Sequence, residues 1–390
     1  MAESENTKRP IILDAEKIRR PMLLNIFDGT PLYGLDEEYV FFYDETNNVR
    51  KFWITDDGFN QKPTNFVLAG LVHKKSTPIT GIEGLISSLH IQKSATEIKF
   101  NQLATGSYLG VLNSKRIQTL LGWLNDKEIF IHYGKLNLLY WSLVDIIDSV
   151  WDEPGLREYM PYVMHIKGEL FNLANADLDK LVPLLKKYRF PNVKRAEIKV
   201  FMLELVAHLD SVAKKPLTDI SELVLMMIRK ASNLEEPPFI IDNEDDILIE
   251  DFHGHFLRSL YIYPTSTHIF DQESEVQQDL ANTQVRFKDK FVDYSFVDSQ
   301  DRIEVQLSDG ICGLLGSHFN FLEENTFEEL IKIKDNLNPR QKTTLYLLQQ
   351  LIDKSNSQSN GFMHRISPVD SDYKNDFFLH NCPLPPHVLL

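Results

Sequence analysis

The sequence predicts an α/β protein in which a mixed sheet, flanked by helices, is interrupted by a large all-helical insertion. Two observations carry this. Short runs rich in aromatic and β-branched residues occur toward both ends of the chain, as in YVFFYDET at 39–46 and STHIFD at 266–271. Between them, residues 136–235 show apolar side chains at i, i+3 and i+4 and almost no strand signal. Strands on both sides of a helical block point to one α/β domain with an insertion rather than to two successive domains.

Taken in order, residues 1–37 are mixed and turn-rich, with Gly29, Pro31 and Gly34, and read as an N-terminal arm. Residues 39–45, 49–54 and 65–73 are expected to form an antiparallel meander, the first two joined at Asn47-Asn48, which tolerate positive φ. A helix is expected near 80–92, then the stretch TEIKF, a helix over 114–126 with Ser114 as N-cap, and a strand over 128–133. After the helical block, strands are expected at 237–242, 266–271 and 293–298, and a helix over 304–322. Helices within 327–353 lead to a Ser/Asn-rich linker at 354–361 and a tail ending CPLPPHVLL, a stretch that cannot be helical across its prolines. The resulting organisation is an arm (1–37), a first part of the α/β domain (38–135), the insertion (136–235), a second part (236–325) and a C-terminal region of helices and flexible tail (326–390).

The chain has 390 residues, enough to bury a sizeable core, and carries a net charge of −15. That balance excludes a broad basic face for coating duplex DNA. It is compatible with a metal-dependent nuclease, which gathers carboxylates at its site and confines basic residues to a groove. The most basic run, Lys186-Lys187-Tyr188-Arg189, reads as a solvated helix end. Two cysteines, Cys312 and Cys382, make no disulfide framework and lack metal-ligand spacing. With a charged N-terminus and no apolar run long enough to span a bilayer, the expectation is a cytoplasmic protein away from membranes. Serine-hydrolase, phosphate-loop and dinucleotide fingerprints are absent from the sequence.

Four carboxylates share a pattern. Asp44 and Asp271 end strands that look buried, Glu97 lies in TEIKF, and Asp309 lies in a helix that is apolar around it, beside Gly310 and Gly313. An ionised carboxylate facing a core is costly unless paired or bound to metal. Carboxylates converging at one end of a sheet suit Mg²⁺ or Mn²⁺, which take oxygen ligands and in pairs hydrolyse phosphodiesters. His253-Gly254-His255, beside the acidic run 243–251, reads as a solvated loop rather than a zinc site, and His132 as a packed core histidine.

FYDET, TEIKF, HIFDQE and FVDSQDRIEVQLSDGICG together resemble, in order and spacing, the motifs of the domain of unknown function 3800 family. The last is the most specific, with Asp298, Ser299, Gln306, Leu307 and Asp309 at family-like positions; Thr46 stands where serine is common and Ser308 where alanine is usual. The resemblance spans 38–133 and 237–320 and implies a ribonuclease-H-like fold and a metal-dependent nuclease acting on DNA or RNA, the effector of a bacterial anti-phage or conflict system. It implies Asp44, Glu97, Asp271 and Asp309 as catalytic metal ligands, with Glu45, Lys99, Asp298 and Gln306 in support. The helical insertion is the expected docking surface for a protein partner, and self-association is left open. The competing reading is a non-catalytic scaffold or sensor subunit that keeps the same fold.

Overall fold

The computed structural model describes residues 11–24, 29–48, 50–91 and 97–384. Expectations touching 1–10, 25–28, 49, 92–96 and 385–390 lie outside them.

Six strands form the main sheet: β1 (Tyr39–Thr46), β2 (Asn65–Lys74), β3 (Ile129–Asn137), β4 (Thr267–Asp271), β5 (Asp293–Val297) and β6 (Met363–Ile366). Their spatial order is β5-β4-β1-β2-β3-β6. Strand β2 runs antiparallel to both β1 and β3, whereas β4 pairs parallel to β1, β5 to β4 and β6 to β3. Alternation sorts the side chains of β1. Tyr39, Phe41 and Tyr43 enter one apolar cluster; Phe42 enters the other, on the face that Asp44 shares.

The principal helices are α1 (Lys115–Asn125), α2 (Leu138–Asp148), α3 (Val163–Asn175), α4 (Leu178–Lys187), α5 (Ile198–Val212), α6 (Asp219–Ala231), α7 (His253–Ile262), α8 (Ile303–Glu324), α9 (Pro339–Gln358) and α10 (Val369–His380). Helix α8 crosses the Phe42 face through Val305, Leu307, Ile311, Leu314 and Leu315, with α1 and α9 beside it. The opposite face is covered by α7, through Phe256 and Leu260. Helices α2–α6 pack around their own apolar cluster, which includes Ile147, Leu170, Leu185, Phe201 and Ile228. Helix α10 touches α8, α9 and α3, and the Asn172 amide donates to Asp370 at 2.7 Å. Among the described residues no helix is long and apolar enough to cross a membrane.

One irregularity positions the site. The β1–β2 register runs from Tyr39↔Lys74 to Phe41↔Val72 and resumes at Asp44↔Ala69. Beside this interval Gly70 admits two side chains to the backbone. Ser308 Oγ of α8 accepts from the Leu71 amide (3.1 Å) and donates to Glu304 O (2.9 Å), while His132 Nε2 donates to Phe42 O (2.9 Å). His132 is therefore a buried core histidine, kept neutral by desolvation that lowers its pKa to about 3.

Several sequence expectations are corrected. The expected strand 49–54 is only Phe52–Trp53, and it pairs with Ile247–Ile249 rather than with β1. The β1–β2 hairpin thus closes over a longer excursion, whose Ile54 joins the helical cluster. Residues 237–242 are not a strand: Pro238–Ile240 form a 3-10 turn, since Pro237 and Pro238 have no N–H to donate to a ladder, and Phe239 packs on the helices. The expected linker 354–361 continues α9 to Gln358 and then forms a turn over Asn360–Phe362. Ser355 and Ser359 are buried; Ser355 Oγ donates to Leu351 O (2.7 Å), and Ser359 Oγ to Tyr33 O (2.5 Å). His253–His255 open α7 instead of a loop, with His255 against Phe66. Within the arm, Ile11–Asp14 form a strand that pairs parallel with Thr283–Phe287.

Candidate active site

The parallel register from Val40↔Thr267 to Tyr43↔Phe270 brings Asp44 and Asp271 level on adjacent strands, and Asp271 is in turn paired with Val297, one residue before Asp298. In-register parallel neighbours project to the same face. Three strand ends thus present Asp44, Asp271 and Asp298 at one end of the sheet. Asp309 meets them from α8, nearly two turns into the helix.

Asp309 is fixed by its surroundings. Its Oδ2 accepts from the Phe100 amide (2.5 Å), at the start of the short helix Phe100–Leu103. That helix comes so near α8 that a Cβ on Gly313 would lie 2.3 Å from Phe100, and one on Gly310 would lie 2.6 Å from Leu103. The small residues flanking Asp309 therefore admit a protein segment, and that segment carries Glu97 and Lys99. Gln306 ties the same segment down: its Oε1 accepts from Ile98 N (2.8 Å) and its Nε2 donates to Ser299 O (2.7 Å). Ser299 Oγ donates to Glu97 Oε2 (3.0 Å), and Lys99 Nζ lies 3.4 Å from Ser299 Oγ and 3.5 Å from Glu97 Oε2.

The electrostatics follow from the same convergence. Burial, then the charges of Asp309, Glu45 and Asp271, push the Asp44 carboxyl up to about 9. Asp44 is 6% exposed; its Oδ1 accepts the Glu45 amide (2.7 Å), and its Oδ2 has no hydrogen-bond partner. Asp309 and Asp271 are also raised, first by burial, with the Phe100 and Gln272 amides and Lys99 opposing. Lys99 is raised: burial alone would lower it, and Asp309, Asp44, Asp271 and Glu97 together outweigh that. All four expected carboxylates therefore act on one ammonium.

Supporting positions divide. Gln306 is buried between the two loops and spends its amide on Ile98 N and Ser299 O, so it positions the segment carrying Glu97. Glu45 projects to the opposite face, into a cleft with Asn48, Arg50 and Glu273, where burial lifts it to about 7. Asp298 is exposed and caps the turn Ser299–Asp301 through the Gln300 amide (2.9 Å). Sequence reasoning missed Arg116, whose guanidinium donates to Leu89 O, His90 O and Gln102 O and so clamps both flanks of the segment bearing Glu97. An arginine that serves only main-chain carbonyls has no sequence signature. The basic run is engaged elsewhere, with Lys186 on Asp56, Lys187 on Glu204 and Arg189 on Glu197.

Among the described residues no set of three or more His, Cys, Asp or Glu side chains is arranged to hold a metal ion as it stands. The chemistry of the donors nevertheless fits a hard divalent cation. They are all oxygens, one of them is buried without a partner, and the carboxylates outnumber the single lysine among them. No family model, curated protein sequence or solved structure matches the chain. Fold and site together define a mixed α/β protein with a carboxylate cluster where the central strands end.

Replacing Gln306 by leucine should leave Ile98 N and Ser299 O without their partner in a buried place, at a cost of about 2–4 kcal/mol. Amide exchange should quicken first at residues 97–103. Unchanged protection there would refute the positioning role.

Proposed function

We propose that the chain is a metal-dependent nuclease of ribonuclease-H-like architecture, as the resemblance to the domain of unknown function 3800 family implies. One observation carries the reading: Asp44 and Asp271 stand level on adjacent parallel strands, with Asp309 facing them from α8 and Asp44 Oδ2 unpartnered. The order of the first five strands, with β2 alone reversed, supports the fold assignment.

Asp44 and Asp309 are the residues placed to hold Mg²⁺ or Mn²⁺, with Asp271 and Glu97 completing the shell. When bound, such ions lower the pKa of an attacking water and stabilise the leaving oxygen of a phosphodiester. The chain's own contribution is orientation and charge. The Phe100 amide holds one oxygen of Asp309, so the other is aimed by the backbone. Lys99, whose ammonium feels all four carboxylates, is placed to meet a substrate phosphate while Ser299 and Glu97 hold it. Burial of Asp44 makes its carboxylate avid for a cation, since the alternative is protonation.

The test is cleavage of labelled single- and double-stranded DNA and RNA with Mg²⁺, Mn²⁺ or EDTA. Wild type should cut at least one substrate only with metal, and Asp309→Asn should lose about 10³-fold or more while keeping the wild-type circular-dichroism spectrum. Full activity in Asp309→Asn would overturn the assignment.

A second reading, a scaffold or sensor subunit, draws on α5, where Val200 and Leu203 are 51% and 46% exposed on one side of the helical block. It predicts a stoichiometric co-purifying protein and no metal uptake.

A further inference from the structure

The main sheet carries a lobe whose charge opposes that of the chain. Between β4 and β5 the chain forms the helix Ser274–Leu280 and the hairpin Thr283–Phe287 with Lys290–Phe291. The arm adds Ile11–Asp14 as a third strand, followed by the short helix Ala15–Arg19 and the turn Arg20–Leu23. Residues 11–24 and 283–291 hold the cations Lys17, Arg19, Arg20, Arg286, Lys288 and Lys290 against the carboxylates Asp14, Glu16 and Asp289. In a chain of net charge −15 this is a local reversal of sign.

Ionic partners do not consume it. Among the described residues the ion pair of this lobe is Arg286 with Asp14, at 3.8 Å. Arg19, which feels Asp36 and Glu16, lies 5.3 Å from the Phe287 ring centroid, and Lys288 lies 5.2 Å from it. Lys17, Arg20, Lys288 and Lys290 are exposed. The run Lys186–Arg189 differs, since each of its cations is held by a carboxylate.

The small sheet has two unlike faces. Leu13, Val285 and Phe287 join the apolar cluster that α7 shares. Registered neighbours project together, so Arg286 and its partner Phe291 stand on the outer face with Gln284 and Ile12. Phe291 is 56% exposed. An aromatic ring beside exposed cations, on an outward sheet face, is suited to stack a base while ammonium and guanidinium groups meet phosphates. The carboxylate cluster lies where β4 and β5 end, whereas the hairpin joins β5 where it begins, at Asp293. The paired length of the two strands, roughly 16 Å, separates them.

We propose that this lobe is a docking surface for single-stranded nucleic acid, with a base stacked on Phe291 and backbone phosphates on Arg20, Arg286, Lys288 and Lys290. An unpaired strand is favoured over a duplex because stacking needs an open base face. That the strand serves as substrate rests on the nuclease reading; its binding does not.

Binding is measured in EDTA with Asp309→Asn, so that cleavage does not enter. The probe is a fluorescent single strand of mixed sequence and about 30 nucleotides, as DNA and as RNA, followed by anisotropy. Phe291→Ala should weaken affinity about fivefold or more and leave its salt dependence unchanged. Lys288→Gln/Lys290→Gln should weaken affinity and flatten the slope of log K against log salt by about 1.4. Lys186→Gln/Lys187→Gln should change neither. Affinity indifferent to the lobe variants, or absent in the parent, overturns the proposal. So does binding of anionic phospholipid vesicles that the same variants abolish while strand binding persists. A strand held through the lobe but never cut by wild type with Mg²⁺ or Mn²⁺ removes the nuclease reading and keeps the docking surface; metal-dependent cutting with binding indifferent to the lobe does the reverse.

Discussion

In the absence of metal, Asp44→Asn should melt at a higher temperature than wild type at neutral pH, and the same variant should have no metal-dependent cleavage. The folded Asp44 carboxyl is raised to about 9 from an ordinary 3.8, so between those values the folded state holds a proton that the unfolded chain has released. The sign follows directly. The contribution to stability is fully present below about pH 4 and is lost as the pH climbs toward 9. At pH 7 the accumulated loss is on the order of 2–4 kcal/mol, which a neutral amide does not suffer. Asparagine also supplies an N–H₂ where Asp44 Oδ2 has no partner, and Asp309 and Asp271 act on that position. The check is a pair of melting curves at pH 5 and pH 8 in EDTA. Wild type should lose stability across that interval relative to the variant. Parallel curves would show that Asp44 is not held as inferred. Saturating Mg²⁺ or Mn²⁺ should reverse the ranking, because a cation that binds only the folded wild type stabilises it by mass action. Greater stability bought at the expense of activity is the behaviour expected of a functional residue rather than a structural one.

Gly70→Ala should destabilise the protein by about 3–5 kcal/mol. A Cβ at this position would stand 2.1 Å from Phe42 O, 2.7 Å from Ser308 Oγ and 2.8 Å from Ser308 Cβ. Two of those atoms belong to a side chain that could turn, but the nearest belongs to the main chain of the central strand. Relief requires β1 and β2 to part, which breaks the His132 bond to Phe42 O, or α8 to lift, which breaks the Ser308 bond to Leu71 N. Urea unfolding measures the loss as a lower midpoint. The double variant Gly70→Ala/Ser308→Gly should recover only part of it, since Phe42 O remains. Complete recovery would place the whole strain on Ser308 and refute the role given to the strand backbone. Phe42 and Asp44 are two residues apart on one strand, so the same substitution should weaken metal uptake as well.

Local signals carried the sheet and the long helix. The alternation of β1, the short run STHIFD and the helical spacing after Ile303 depend on near neighbours, which a sequence displays. Partner choice does not. Phe52–Trp53 has the composition of a meander strand, yet it pairs with residues almost 200 positions later, and nothing near it says so. The stretch KSNSQSNG has linker composition, but serines in a helix can return their hydroxyls to the preceding turn and be buried. In the carboxylate cluster, Asp44, Asp271 and Asp309 were legible from strand ends and from a charge on an apolar helix face. The glycines beside Asp309 were legible as a close approach, though of a protein segment. Glu45 lies on the other face from Asp44, because two consecutive residues on a strand cannot share a face, though its charge still acts on Asp44. The mutual effect of Gly70, Ser308 and His132 was illegible, since it exists only once three distant segments meet.

The separation between β1 and its parallel partner also governs the order of manufacture. Val40 lies against Thr267, and every residue of α2–α6 is translated between them. A nascent chain can complete the hairpin of β1 and β2 and the helices early, since those contacts are local or nearly so. It cannot assemble its acidic cluster until Asp271 and then Asp309 have left the ribosome. A ribosome that stalls, or a protease that trims the chain before residue 303, therefore releases a product that lacks Asp309 and with it the complete carboxylate cluster. For a protein whose proposed chemistry would threaten the nucleic acid that encodes it, postponing competence to the last quarter of synthesis is a safeguard written into the strand order itself.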